Sequence, residues 1–389
     1  MDQTKNEYIL IVSIILFFLL DSINFIIEQQ VGLNSFNSVS VYGKAIIEGY
    51  ALLAILKQKA YGKELGLFTS LIILSLLSYF VHVLRSGVFE TKVLYIILKQ
   101  ANKYVFAIII YLWIKSSNLN WKKIQPIFEA IFLISAIIVL IAFIFNIELF
   151  YTYNQSRFGY KPLLATQNEI TYFWMIGIIF FGEEFFSHKN APSLIKLGLI
   201  MLAASMLGTK AILLFIFCYL IYLLVFQARL SLVKTVALGI GILIVLGVFV
   251  YLTGIYGFFI EKLENQGVLY AITSKRSAYI AQNVIPLLND FKFWNYFIGG
   301  NYFKIPLTEM DLIDIFCFWG AVGFILYIYL VRMTIFSFNM HNKVGIFFIS
   351  QYVLIGALAG HVFASGINAI YLALTCYYLQ TTDGGYKDK

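Results

Sequence analysis

The chain has 389 residues, 61% hydrophobic and only 12% charged, with a mean hydropathy of +0.84. This composition excludes a sizeable water-soluble domain and makes the bilayer the main solvent. The net charge of +8 calls for no nucleic-acid partner, because basic residues retained on cytoplasmic loops and drawn to anionic headgroups account for it.

A transmembrane helix needs about 20 predominantly apolar residues, and twelve such stretches can be laid along the chain. They run 8–28, 37–56, 66–84, 92–114, 126–146, 166–182, 191–207, 210–227, 235–255, 312–331, 344–360 and 363–379. The expectation is an all-α polytopic membrane protein, a single integral membrane domain over 1–389 with one large outer loop at 256–311 containing amphipathic helices. The first run, Tyr8 to Ile27, has no small-residue cleavage site and reads as a retained span. Cys218, Cys317 and Cys376 each fall inside a predicted span without paired or metal-ligand spacing, so no disulfide, metal or cofactor is expected. No internal repeat is visible, which weighs against repeat-built transporters.

Basic residues mark the orientation. With a cytoplasmic N-terminus, every inside segment is basic, as at Lys57, Lys59 and Lys63, at Lys115, Lys122 and Lys123, and at Arg229 and Lys234. Few basic residues fall in the short outside loops, so both termini are expected in the cytoplasm.

Charges within the spans are costly and usually face protein or a wet cavity. In this orientation Asp21, Lys44, Glu48, Lys99, Lys103 and Glu169 crowd the outer half, whereas Glu129 lies near the inner face. Lys44 with Glu48, and Lys99 with Lys103, are spaced i, i+4 on one helix face. The first spacing suits an ion pair; the second suits either an anion held between two ammonium groups or snorkelling to the outer headgroups. Arg157, Lys161, Lys210 and Arg276 come from distant segments that the topology returns to the same face. Such a set suits a diphosphate, with arginine giving bidentate recognition and lysine a point charge.

In the long loop, Thr273 or Ser274 can cap an amphipathic helix with apolar Ile280, Ala281, Val284, Ile285 and Leu288, kinked or ended by Pro286. Arg276 falls in its first turn, against the helix dipole, where an anionic ligand would hold it. Phe291, Phe293, Trp294, Tyr296, Phe297, Tyr302 and Phe303 suit either interfacial anchoring or stacking on sugar faces. After Gly299-Gly300 come Glu309, Asp311 and Asp314. They read as a solvated acidic helix start, or as carboxylates whose mutual repulsion readies one to accept a proton.

Four stretches resemble the O-antigen polymerase and O-antigen ligase superfamily of bacterial inner-membrane glycosyltransferases. Ser156-Arg157-Phe158-Gly159-Tyr160 with Thr166-Gln167-Asn168-Glu169 is similar to its outer-loop Arg-x-x-Gly segment and following helix start. Gly208-Thr209-Lys210-Ala211 is similar to its polar outer turn. Lys275-Arg276-Ser277 through Pro286 and Gly299-Gly300 resemble its arginine helix and glycine turn. Glu309-x-Asp311-x-x-Asp314 with Gly320-x-x-Gly323 resembles its return into the membrane. Gln167 stands where the family has proline. The long loop also lacks the histidine typical of ligases, which favours a polymerase, with His361 of Gly360-His361-Val362 in reserve.

The resemblance implies glycosyl transfer between two undecaprenyl-diphosphate-linked oligosaccharides, donor and acceptor, on the periplasmic face of the inner membrane, with a chain-length regulator as a further possible partner. Glu309 is the first expected base, ahead of Asp311, Asp314 and His361. Arg157 and Arg276 would bind the leaving diphosphate, supported by Lys210, Lys99 and Lys103. Asn168, Tyr160, Trp294 and Tyr302 are the expected sugar contacts. The alternatives are a ligase-type glycosyltransferase and a flippase of lipid-linked oligosaccharides, which would need polar groups reachable from both sides.

Overall fold

The computed structural model describes residues 3–31, 38–58, 61–117, 119–153, 157–227, 232–273, 276–300, 308, 310–339, 341–358 and 360–382. Among these the architecture is all-α, with two isolated β-bridges and no strand. Helices α1 (Gln3–Val31), α2 (Ser38–Gln58), α3 (Gly62–Ser86), α4 (Thr91–Ser116), α5 (Trp121–Ile144) and α6 (Gln167–His188) follow one another. Then come α7 (Ala191–Ser205), α8 (Lys210–Tyr222), α9 (Leu232–Leu252) and α10 (Ile255–Thr273). After α10 come the short helices α11 (Arg276–Tyr279), α12 (Ile285–Asn289) and α13 (Phe293–Ile298), followed by α14 (Asp311–Met333), α15 (Lys343–Leu358) and α16 (Ala369–Thr382).

Eight helices among the described residues, α1 to α6, α9 and α14, are long and apolar enough to cross a bilayer. The chain is a multi-pass membrane protein. The seventh, eighth, eleventh and twelfth expected spans form helices of 15, 13, 16 and 14 residues. At about 1.5 Å per residue each covers less than the roughly 30 Å of hydrocarbon.

The chain divides into two compact units. The first comprises 1–17, 41–121 and 273–389, the second 18–40 and 122–272. In the first unit, α16 packs along α4, and α14 along α3. Tyr104, Phe318, Trp319 and Tyr327 form a buried aromatic cluster. Within it Trp319 Nε1 donates to Ser75 Oγ at 2.8 Å and Tyr327 Oη to the Tyr104 carbonyl at 3.1 Å. Helix α14 is interrupted at Gly320, whose φ of +66° falls in the left-handed region. There the α13 end, from Phe297 to Gly299, lies against its backbone so closely that a Cβ at either Gly320 or Gly299 would strike main-chain atoms. This contact anchors the loop region on α14.

In the second unit α6 is the most enclosed span, with 78% of its membrane-length stretch buried, against 6% for α9, which therefore faces lipid. Phe132 stacks on Phe173 at 4.3 Å, and Lys196 Nζ bridges Glu129 at 2.5 Å and Glu184 at 2.9 Å. Glu129, expected near the inner face, is thus part of an internal ion triad. All three cysteines are free.

The loop helix differs in detail from expectation. Thr273 Oγ1 accepts from the Ser277 amide at 3.3 Å, as a cap would. Pro286 does not end the helix. A π-turn over Ile280–Val284 precedes it and the chain continues helically to Asn289, the widened turn accommodating the missing N–H. Val284 and Leu287 are buried, whereas Ala281 and Ile285 are exposed, because the π-turn shifts the inward face by one position.

Candidate functional site

Helix α14 starts after Met310, which has extended backbone. Asp311 and Asp314 occupy its first turn, where the helix dipole favours negative charge. Neither is a solvated terminus: both side chains are 0% exposed. Asp314 Oδ1 accepts from the Thr308 amide at 2.9 Å and from Thr308 Oγ1 at 2.7 Å. Asp311 Oδ2 accepts from the amides of Val362 and Phe363, the latter at 2.9 Å. A parallel bridge between Met310 and Gly360 sets this register.

The register carries His361 to the helix start. Its Nδ1 lies 3.9 Å from Asp311 Oδ1 and 4.0 Å from Asp314 Oδ2. Each carboxylate therefore has one oxygen tied to the protein and the other turned toward one imidazole. One ligand atom from each residue can be chosen so that all three lie within 4.8 Å of one another. The His361 side chain remains 21% accessible, which gives the cluster an opening.

The arginine helix belongs to the same unit. Burial, with the charge of Asp314 second, raises the Tyr279 phenol above its ordinary range. Tyr279 lies one helical turn after Arg276, whose guanidinium donates to the Thr273 carbonyl at 3.3 Å. Lys99 and Lys103 are exposed in the N-terminal half of α4, Lys99 with its ammonium 5.9 Å from the Tyr95 ring centre. In the same unit Glu48 accepts from Asn102 at 2.9 Å, and Lys44 lies over Phe17. Trp294 is 57% exposed on α13, beside exposed Phe293, Tyr296 and Phe297. Glu309 and Tyr302 lie outside the described residues.

The second unit gathers cations around three aromatic rings. Arg157 stacks on Tyr153 at 3.4 Å and lies 5.0 Å from the Phe258 centroid. Lys262 approaches Phe258 at 5.6 Å and Lys210 approaches Phe259 at 5.2 Å. Two backbones hold this arrangement. The Tyr160 amide donates to the Met206 carbonyl at 2.7 Å, and Gly208, at φ +70°, lets the Phe158 carbonyl rest where a side chain would stand. Burial brings Arg157 down to about 10, which leaves it charged at neutral pH. Lys161 is buried over Phe25, its ammonium lowered by burial and partly restored by Glu28.

Tyr160 is not a sugar platform. It is 7% exposed, its hydroxyl donates to Asn146 Oδ1 at 2.7 Å, and Phe143, Tyr151 and Phe158 pack around its ring. Asn168 is half-buried in the first turn of α6. Lys262, Phe258 and Phe259 were not among the expected residues. Their signal is faint, a Phe-Phe pair followed three residues later by a lysine. Thr308 was also missed, although a threonine just ahead of an acidic helix start is a plausible cap donor.

The geometry defines a multi-pass membrane protein with an enclosed Asp-Asp-His cluster in one unit and an aromatic-backed cationic cluster in the other. The sequence matches no family model and no curated protein.

Proposed function

We propose that the chain is a surface-polysaccharide polymerase of the O-antigen type. It joins undecaprenyl-diphosphate-linked oligosaccharides by glycosyl transfer at the periplasmic face of the bacterial inner membrane. In this reading the four shorter apolar helices complete twelve crossings, both termini are cytoplasmic, and the 256–311 loop is periplasmic. The carrying observation is the placement of His361 between Asp311 and Asp314.

In the reaction the acceptor hydroxyl oxygen attacks the donor's anomeric carbon, and the bond from that carbon to the diphosphate oxygen breaks. The diphosphate leaves with the electron pair. With His361 Nδ1 turned toward the aspartates, Nε2 is the atom that takes the hydroxyl proton, and the two carboxylates stabilise the imidazolium that forms. Arg276, in the same unit as His361, supplies positive charge for the leaving diphosphate. Lys99 and Lys103 add to the outer positive field, and Trp294, in the same unit, is a candidate sugar contact.

The test is polymerisation of a synthetic lipid-diphosphate oligosaccharide by the purified protein in proteoliposomes. His361→Ala and Arg276→Ala should each reduce polymer by at least about 100-fold, the lower range for a lost general base, while the substrate remains as single repeats. Ladders of unchanged length from both variants would exclude the assignment.

A histidine at the end of the outer loop also supports a second reading, a ligase that passes the saccharide to a lipid acceptor. Supplying both a second lipid-diphosphate oligosaccharide and a lipid-linked core sugar as acceptors separates the two by product.

A further inference from the structure

The Asp311–Asp314–His361 cluster has the donor set of a metal site as well as of a proton relay. We infer that it binds one divalent transition-metal cation, Zn2+ or Mn2+, and that the bound cation silences the relay. The silencing half rests on the polymerase reading; the binding half does not.

The first ground is charge. Asp311 and Asp314 are fully enclosed carboxylates beside a single imidazole. If both are ionised beside a neutral imidazole, the cluster carries two negative charges away from water, and a protonated histidine balances only one of them. A dication balances both.

The second ground is a buried oxygen without a hydrogen bond of ordinary length. Asp311 Oδ1 is buried and accepts no hydrogen bond. Its nearest charged neighbour, His361 Nδ1 at 3.9 Å, is beyond hydrogen-bond length. A buried acceptor of this kind is costly unless something else satisfies it.

The third ground is geometry. Ligands around a tetrahedral ion with bonds of about 2.0–2.1 Å stand about 3.3–3.4 Å apart. The imidazole-to-carboxylate separations of 3.9 and 4.0 Å need only a contraction of roughly half an ångström, within reach of small side-chain rotations around bonds of that length. The outer oxygens are already fixed by Thr308, Val362 and Phe363, the kind of support that orients metal-bound carboxylates. One imidazole with two carboxylates suits Zn2+ or Mn2+ better than Ca2+, which takes six to eight oxygens. With three protein ligands, a coordination position stays open on the accessible side of His361.

Silencing follows from the tautomer. A cation on Nδ1 leaves the neutral imidazole with its proton on Nε2, which then donates and cannot accept. The acceptor hydroxyl keeps its proton and the transfer stalls.

The full-length protein in detergent micelles, stripped with EDTA, is titrated with Mn2+ and followed by electron paramagnetic resonance. One Mn2+ per chain should bind and be displaced by stoichiometric Zn2+. Asp311→Asn, Asp314→Asn and His361→Ala should each weaken binding at least about tenfold, and Thr308→Ala up to about tenfold through Asp314. His361 is part-exposed, so His361→Ala serves as the variant that folds if the aspartate changes do not, with circular dichroism as the check. Absence of bound Mn2+ on folded wild-type protein at millimolar concentration would overturn the inference, as would binding unchanged in His361→Ala. In the polymerisation assay, Zn2+ should inhibit and EDTA restore activity. Stimulation by Zn2+ would overturn the silencing half. Mn2+ binding with no polymer under any condition would remove the polymerase reading and leave the metal site standing.

Discussion

At the scale of single residues, packing assigns different jobs to side chains that look alike in the sequence. Arg157 and Lys262 both approach the Phe258 ring, at 5.0 and 5.6 Å, with Glu261 3.7 Å from Lys262, and two cations beside one carboxylate favour a further anion. Inorganic pyrophosphate should therefore raise the melting temperature of the wild-type protein by a few degrees. The double variant Arg157→Ala/Lys262→Ala should lose that response, and an equal shift in both would remove the anion site. Arg157→Lys should restore little of it, because the planar stacking on Tyr153 and bidentate contact are lost. Tyr160 lies at the other extreme. Its hydroxyl is used internally by Asn146, so Tyr160→Phe should lower stability by about 1 kcal/mol and leave saccharide affinity unchanged when measured by calorimetry.

At the scale of elements, the contact between α13 and the kink of α14 holds the loop region against the helix that carries Asp311 and Asp314. Gly320→Ala imposes both a left-handed backbone on a residue with Cβ, at about 1–2 kcal/mol, and a main-chain collision with Phe297. The variant should melt at lower temperature and lose activity together, whereas Gly257→Ala, at a position with open space around it, should do neither. The ion triad between α5, α6 and α7 is a separate device. Lys196→Met leaves Glu129 and Glu184 facing each other in a half-buried setting and should cost on the order of 3 kcal/mol, read as a drop in melting temperature. Lys196→Arg should retain most of it.

At the scale of the whole molecule, the arrangement in the membrane is the property on which the proposed periplasmic chemistry depends. Single cysteines placed at exposed Lys122 and Asn289, with Cys218 replaced by Ala, should react differently with a membrane-impermeant maleimide in intact spheroplasts. Asn289→Cys should be labelled and Lys122→Cys only after lysis. The reverse pattern would overturn the orientation drawn from the basic loops.

Hydropathy and loop charge made the all-α membrane class legible, along with a helix for each of the twelve apolar stretches, because burial in lipid demands long apolar runs with internally paired backbones. The pairing of Asp311 with Asp314 was legible too, since i, i+3 spacing on a helix is local. Their burial was not. A helix start rich in acid looks solvated until Thr308 and the Val362–Phe363 turn are known to cover it. His361 lies 47 positions beyond Asp314 in the chain, and nothing local predicts that the Met310–Gly360 bridge will lay it between the two aspartates. The same holds for Phe258 beneath Arg157. Periodicity and composition act over a few turns of chain and fix the elements, whereas a site made of residues from separate elements exists only once tertiary packing has chosen which of them meet.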